Sequence, residues 1–398
     1  MNLPRPRATE RRQEMKNRML LLIAAVAVLL AAPAMAFHHE SVGYCQGCHT
    51  MHNSANNQGM NLNATGTGPG LAPGFGYTDL LLLPNATDTC LRCHGNNTAS
   101  YNVFESDPLN PTLAEYYSAG NFVFLLEDNV NDGRGGATSP IPGQRAGHNL
   151  RSGIKGSNWD TTLLYPPGGQ AELANNQLEC TSCHDPHGQD SFRFLYQTGQ
   201  TVDVGGDDVT FGGTLVAEGI SYSSTETLTN HNAYHSGYSE WCSTCHGDFH
   251  ASSGNLIHPS GEALTATIVA KYNEYRGTAN CVANPPTGPT DPCGDGTVVD
   301  AYLPDTPFED PSVTTTSTAG PTAGTSMVAC VTCHRAHATS AQDMGRWDFT
   351  LQNIETDGVV SGSWKIPYAQ ATLPADDDQK SLCNKCHTQD EFDHLVTP

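Results

Sequence analysis

Twelve cysteines of this chain fall in six copies of one motif, C-x-x-C-H. The copies are Cys45/Cys48/His49, Cys90/Cys93/His94, Cys180/Cys183/His184, Cys242/Cys245/His246, Cys330/Cys333/His334 and Cys383/Cys386/His387. Two thiols one turn apart can add to the two vinyl groups on one side of a porphyrin. The imidazole directly after the second thiol then lies under the iron. This is the attachment signature of c-type haem. Zinc knuckles would pair Cys–Cys half-sites and would not need a histidine at that offset six times. The expectation is six covalently attached haem c groups, with His49, His94, His184, His246, His334 and His387 as proximal iron ligands.

Six irons need six further axial ligands, or else open sites where catalysis or gas binding is possible. Eleven histidines lie outside the motifs. Only four methionines (Met51, Met60, Met327 and Met344) follow residue 36. Histidine is therefore the expected distal ligand, and bis-histidine haems have low potentials. His52, His187 and His337 sit three residues after a proximal histidine, and His250 sits four after. A side chain one turn beyond the proximal ligand stays on the proximal side of its own haem. If it binds iron, that iron belongs to a different haem, which forces haems into close neighbourhood. His148 and His258, in the long spacers, complete the set of six, with His38 in reserve. His39, His231, His235 and His394 read as solvated or facing a haem propionate.

The elements that must position these groups are short. Residues 1–36 read as a secretory signal peptide: Arg11, Arg12, Lys16 and Arg18 precede an apolar run from Met19 to Leu30, which ends in Ala34-Met35-Ala36. Residues 37–398 read as one hexahaem unit. Its spacers are rich in turn signals, as in GTGPGLAPGFG (66–76) and DGRGGATSPIPG (132–143). Short helices are expected to carry the motifs. Gly261–Arg276 reads as a helix capped by Ser260, and residues 201–216 as a hairpin. The run from Asp128 to Gly133 resembles a calcium loop only faintly, because Val130 takes a ligand position. The two remaining cysteines, Cys281 and Cys293, read as a disulfide closing a short loop, which would stabilise by about 3 kcal/mol.

Composition fits a cofactor-filled interior. Only 37% of the residues are hydrophobic, against 39 glycines and 25 prolines, too little aliphatic material for two conventional cores. The expected fold class is a multihaem cytochrome c, mostly loop with short α-helices and little β, its core filled by haem. The exported portion keeps 13 basic and 39 acidic residues, a net charge of −26. Such acidity argues against nucleic acid as a partner. No stretch beyond the signal peptide reads as a membrane span.

With these motifs in hand, the sequence resembles the outer-surface hexahaem cytochromes that polymerise into extracellular filaments, the OmcS-like nanowire cytochromes. The matching stretches are CQGCHTMHNS (45–54), CLRCH (90–94), GHN (147–149), NQLECTSCHDPHG (176–188), SEWCSTCHGDFH (239–250), HPSG (258–261), CVTCHRAHATS (330–340) and LCNKCH (382–387). They keep one order across nearly the whole exported chain. The resemblance implies six bis-histidine haems in a line, with stacked pairs alternating with perpendicular contacts. It also implies a head-to-tail homopolymer in which His52 binds the haem of Cys330/Cys333/His334 in the neighbouring subunit. The chain departs from the family pattern at Cys281/Cys293, at His231 and His235, and after His387.

The expected function is electron transfer outside the cell, by hopping along the line of haems. The expected location is the extracellular space or outer cell surface, reached through the periplasm. Further partners would be other multihaem cytochromes and extracellular metal, mineral or cellular electron acceptors. A discrete periplasmic or outer-surface shuttle is the alternative. A multihaem oxyanion reductase fits less well, since it needs an open iron and a basic pocket. The chain is therefore not read as an enzyme.

Overall fold

The computed structural model describes residues 45–52, 77–95, 102–105, 119–126, 145–160, 165–169, 177–188, 190–220, 229–250, 260–273, 302–303, 306–346 and 385–386. It adds two-residue strands between 54 and 59 and between 130 and 141, and single residues at 163, 227 and 349. The signal peptide, His38, His39, Cys281, Cys293, His258, Cys383, His387 and His394 lie outside the described residues, as does the side chain of His250.

Five short helices stand among the described residues: α1 (Ala86–His94), α2 (Tyr238–Cys242), α3 (Gly247–His250), α4 (Ala266–Tyr272) and α5 (Cys330–Cys333). Local chemistry sets their ends. Asn85 caps α1 by accepting the Asp88 N–H at 2.7 Å, and Arg92 and His94 sit at the end that favours positive charge. Thr265 caps α4 by accepting the Ile268 N–H at 3.3 Å. Among the described residues the strands pair as four antiparallel two-stranded ladders, with isolated bridges between other segments. The ladders are β1 (Ser54–Ala55) with β2 (Gln58–Gly59), β3 (Val130–Asn131) with β4 (Pro140–Ile141), β5 (Thr201–Val204) with β6 (Asp207–Thr210), and β7 (Val216–Glu218) with β8 (Ala233–Ser236). The β5–β6 pair is the hairpin expected from residues 201–216.

The helix expected over Gly261–Arg276 is shorter, running only from Ala266 to Tyr272 with Thr265, not Ser260, as its cap. Residues ahead of it have another partner. The Leu264 N–H donates to Ser326 O at 2.8 Å, and Ala263 bridges Met327. That pairing takes the backbone groups a first helical turn would have used.

Apolar burial is divided among small clusters. One gathers Leu91, Phe104, Phe122, Val123, Phe124 and Ala338. A second gathers Leu215, Tyr234, Tyr238 and Val331, and a third Leu264, Tyr272 and Phe308. Each fully buried aromatic side chain is worth about 2–3 kcal/mol. The clusters sit against the motif-bearing turns, so the chain is loop-rich with short helices and little β, as its composition implied.

Candidate haem-binding sites

The first five C-x-x-C-H copies each close into one turn. The histidine N–H donates to the carbonyl of the first cysteine, from His49 to Cys45 at 2.8 Å, His184 to Cys180 at 3.1 Å, His246 to Cys242 at 3.0 Å and His334 to Cys330 at 3.0 Å. The second motif does the same inside α1. This closure sets two thiols and one imidazole on the same side of the turn, as attachment to one porphyrin edge requires.

Of the sixth motif only Cys386 lies among the described residues; Cys383 and His387 lie outside them. Cys386 packs, half-buried, against the apolar cluster of Leu264, Tyr272 and Phe308. Its neighbour explains the placement. Lys385 is fully buried, with its ammonium 4.3 Å from the centre of the Tyr272 ring on α4. That cation–π contact draws the adjoining thiol toward the same cluster. Burial pushes the Lys385 ammonium down to about 7, opposed by the charge of a Cys386 thiolate. The attachment of haem at Cys383, Cys386 and His387 therefore remains a reading of the motif.

The first, third and fifth motifs share a further structure, which we call the clasp. The His49 Nδ1–H donates to Asp79 O, His184 to Arg193 O and His334 to Asp343 O, all at 2.8 Å. The next N–H donates to the following carbonyl: Thr50 to Leu80, Asp185 to Phe194 and Arg335 to Met344, at 2.7–2.9 Å. The chain then returns, and Leu82, Tyr196 and Arg346 donate to the carbonyl of the second cysteine of each motif. In every case the two accepting residues are left-handed, at φ 54° and 56°, 52° and 58°, and 58° and 60°. Such angles are tolerated by aspartate but uncommon for residues such as Leu80, Arg193, Phe194 and Met344, where the surroundings must enforce them. Here they turn two successive carbonyls onto the motif. A bond at Nδ1 fixes the tautomer and leaves Nε2 as the lone-pair nitrogen that binds metal.

Junctions repeat as well. The Cys180 N–H donates to the Thr87 hydroxyl and the Cys330 N–H to the Ser239 hydroxyl, both at 3.3 Å. Thr87 and Ser239 each lie three residues before the first cysteine of the preceding motif. Glu179 accepts the first N–H of α1, and Glu309 that of α2. The thiols of Cys90 and Cys180 are in contact, as are those of Cys242 and Cys330. Cys48 lies near Cys93, and Cys183 near Cys245. The first five motifs are thus neighbours in their order along the chain.

Three imidazole pairs bring a histidine from outside the motifs to the proximal histidine of one. His187 faces His49 with ring centres 6.1 Å apart and planes 13° from parallel. His337 meets His184 at 6.4 Å with the planes 67° apart, and His148 meets His246 at 6.1 Å with the planes 36° apart. Two metal–nitrogen bonds of about 2 Å, with about 1.1 Å from each nitrogen to its ring centre, set trans imidazoles about 6 Å apart. The pairs therefore fit one iron between each two rings. His148 and His337 are held by one backbone clamp: the His148 N–H donates to His337 O at 3.0 Å, and the His337 N–H donates to Ala119 O at 2.7 Å. Gly147 is required there, because a Cβ would come within 2.2 Å of the His337 carbonyl. His52 is exposed beside Met51, and His334 meets the Phe349 ring edge-on at 5.6 Å.

Burial keeps His148, His184, His246 and His337 neutral. Burial, then the neighbouring His246, pushes His148 down to about 4. Burial lowers His184 and His246, and burial followed by His184 takes His337 well below the usual range. A neutral ring offers its lone pair to iron. Burial, then the neighbouring Cys245, pushes the free Cys183 thiol up to about 12.

His231 and His235 depart from the sequence reading. His231 is only 2% exposed; its Nδ1 lies 3.1 Å from Asn232 O, and its Nε2 lies 2.7 Å from Ser317 O and 3.2 Å from the Tyr302 hydroxyl. Both nitrogens have partners, so it ties two loops together instead of meeting solvent or a propionate. His235 is mostly buried, near Glu218 and the Pro311 carbonyl. Sequence reasoning also missed the clasp. Its one signal is C-x-x-C-H-x-x-H, which recurs only at 45–52, 180–187 and 330–337.

No family model matches the chain. It is 31% identical to C-type cytochrome OmcS of Geobacter sulfurreducens over 455 aligned positions, covering 93% of this chain and 98% of that protein. The structure matches the outer membrane cytochrome S filament of the same organism with a TM-score of 0.66 and 26% identity, over 88% of this chain and 99% of that one. It matches the OmcS nanowire structure from cryo-electron microscopy with a TM-score of 0.67 and 27% identity, over 89% and 100%.

Proposed function

The chain belongs to the OmcS family of c-type cytochromes, and from that premise we propose that it carries electrons outside the cell along six bis-histidine haems in a polymer of its own subunits. The relatives are named as filaments and nanowires, which supports self-assembly and an extracellular location. Among the described residues no helix is long and apolar enough to cross a membrane. When bound, haem supplies the one-electron redox chemistry; the chain sets ligation, spacing and surroundings.

The observation that carries this reading is the order of the imidazole pairs. His187, from the second clasped unit, faces the proximal histidine of the first. His337, from the third unit, meets that of the second. Each clasped haem thus takes its distal ligand from the next unit. For the third unit, with His334, the next unit is the first of another subunit, and the equivalent side chain is the exposed His52. Polymerisation on this reading continues an internal repeat head to tail, a heterologous contact that does not close into a ring. His148 serves the haem of His246. His250, His258 and the reserve His38 remain for the haems of His94 and His387.

Covalent haem in every motif and two imidazoles on every iron leave no vacancy for substrate, so the reading is of a conductor and not a catalyst. Other multihaem cytochromes and extracellular metal, mineral or cellular acceptors are its proposed exchange partners. Mass spectrometry of the secreted protein should return six attached haems, including one on Cys383 and Cys386, and its spectra should show low-spin iron throughout. Fewer haems, or a substantial high-spin fraction, would favour a discrete shuttle or an oxyanion reductase instead.

A further inference from the structure

The three clasps do the same work with their backbones and differ in one side chain. At the position whose carbonyl receives the proximal Nδ1–H stand Asp79, Arg193 and Asp343. Nothing in the hydrogen-bonding duty calls for a particular charge there, because a carbonyl of any residue would serve. The left-handed φ is as unfavourable for arginine as for any other long side chain, yet arginine occupies one of the three. The charge is thus a free variable laid over a fixed geometry, on the residue whose carbonyl holds each proximal ligand.

Each of the three charges has a different setting. The Arg193 guanidinium lies over the Phe192 ring, 4.8 Å from its centre. Asp343 is answered by Arg145 at 3.0 Å. Asp79 sits at the exposed end of the first clasp.

We propose that this clasp residue ranks the reduction potentials of the three clasped haems, with Arg193 making the haem of His184 the highest, Asp79 making that of His49 the lowest, and the paired Asp343 leaving that of His334 between them. Reduction adds one electron to the iron, so a nearby cation favours the reduced form and a nearby anion opposes it. All three side chains reach solvent, so the effect weakens with salt. The inference rests on the reading of His49, His184 and His334 as proximal haem ligands.

The test is an optical redox titration of assembled wild-type protein and of the variants Arg193→Asn, Arg193→Lys and Asp79→Asn, with haem count and spin state measured on each. Asparagine tolerates the left-handed turn, so the clasp keeps its shape. In Arg193→Asn, the share of one haem in six should move to lower potential; in Asp79→Asn, an equal share should move to higher potential. Arg193→Lys should titrate as wild type, and added salt should draw the shifted portions together. An unchanged titration in both asparagine variants, or shifts of the same sign, overturns the proposal. Loss of haem or high-spin iron in Arg193→Asn alone also overturns it, since the residue would then hold the turn and not tune it. Fewer than six haems in the wild type would instead be a failure of the underlying functional reading.

Discussion

The rings of His187 and His49 lie nearly parallel, with planes 13° and centres 6.1 Å apart, although the two residues stand far apart in the sequence. That separation is the one two imidazoles would keep on either side of a single iron. The relationship predicts the effect of removing one ring. In His187→Ala, six haems should stay attached, and the share of one haem in six should become high-spin. Electron paramagnetic resonance would measure it. A wholly low-spin spectrum would mean that His187 does not bind iron.

Gly147 should tolerate no side chain. Its Cβ would meet the His337 carbonyl at 2.2 Å and the Ala338 Cβ at 2.4 Å. Gly147→Ala should therefore open the clamp that holds His148 and His337, costing about 1–3 kcal/mol of stability. The change should be visible as a lower thermal midpoint and disturbed spectra of the haems of His184 and His246. A variant with wild-type stability would show that the clamp is slack.

Asp88 ties α1 to the loop after it. It is 1% exposed and accepts from the Ser152 hydroxyl at 2.6 Å, the Gly153 N–H at 3.2 Å and the Ile154 N–H at 3.3 Å. Asp88→Ala leaves those donors without an acceptor and should destabilise by about 3 kcal/mol. Denaturant unfolding of the holoprotein would measure the loss, and a change within error would contradict it.

Glu309 predicts the direction of a pH dependence. Burial pushes its carboxyl up from 4.5 to about 7, against the opposing pull of the Tyr238 and Ser239 N–H groups. Between those values the folded chain holds a proton that the unfolded chain has released, so stability falls as pH rises through that window and levels off beyond it. Asp310 acts oppositely and at lower pH: burial raises it, but bonds from Ser312 and Ser326 outweigh burial and lower it. Glu309→Gln keeps an acceptor for α2 and should remove the slope between about pH 4.5 and 7. Thermal midpoints measured across that range would check it, and a slope of the opposite sign would contradict it.

Much of the molecule was legible before any fold was seen, and the limits have physical reasons. C-x-x-C-H marks haem attachment because the spacing is local, fixed by one turn of chain. The offset of His187 and His337 showed that these side chains must leave their own motif, again from one turn of geometry. Which motif they meet depends on contacts between distant segments, and no local pattern encodes that. The helix at 261–276 was overextended because its first residues pair with 326–327 instead. His231 looked like a surface histidine because nothing in its neighbours announces Tyr302 and Ser317. The packing of Cys386 against Tyr272 and Phe308 was invisible for the same reason, since it follows Lys385 to a distant ring. The clasp was missed because, although aspartate at 79 and 343 tolerates such angles, Leu80, Arg193, Phe194 and Met344 do not favour them. Tertiary hydrogen bonds impose them.

The central claim is that one subunit completes the next, through His52. Cryo-electron microscopy of the assembled filament, read at the haem of Cys330, Cys333 and His334, tests it most directly. The predicted result is continuous density from His334 through iron to His52 of the neighbouring subunit. A distal ligand from the same chain, or an iron open to solvent, would contradict it.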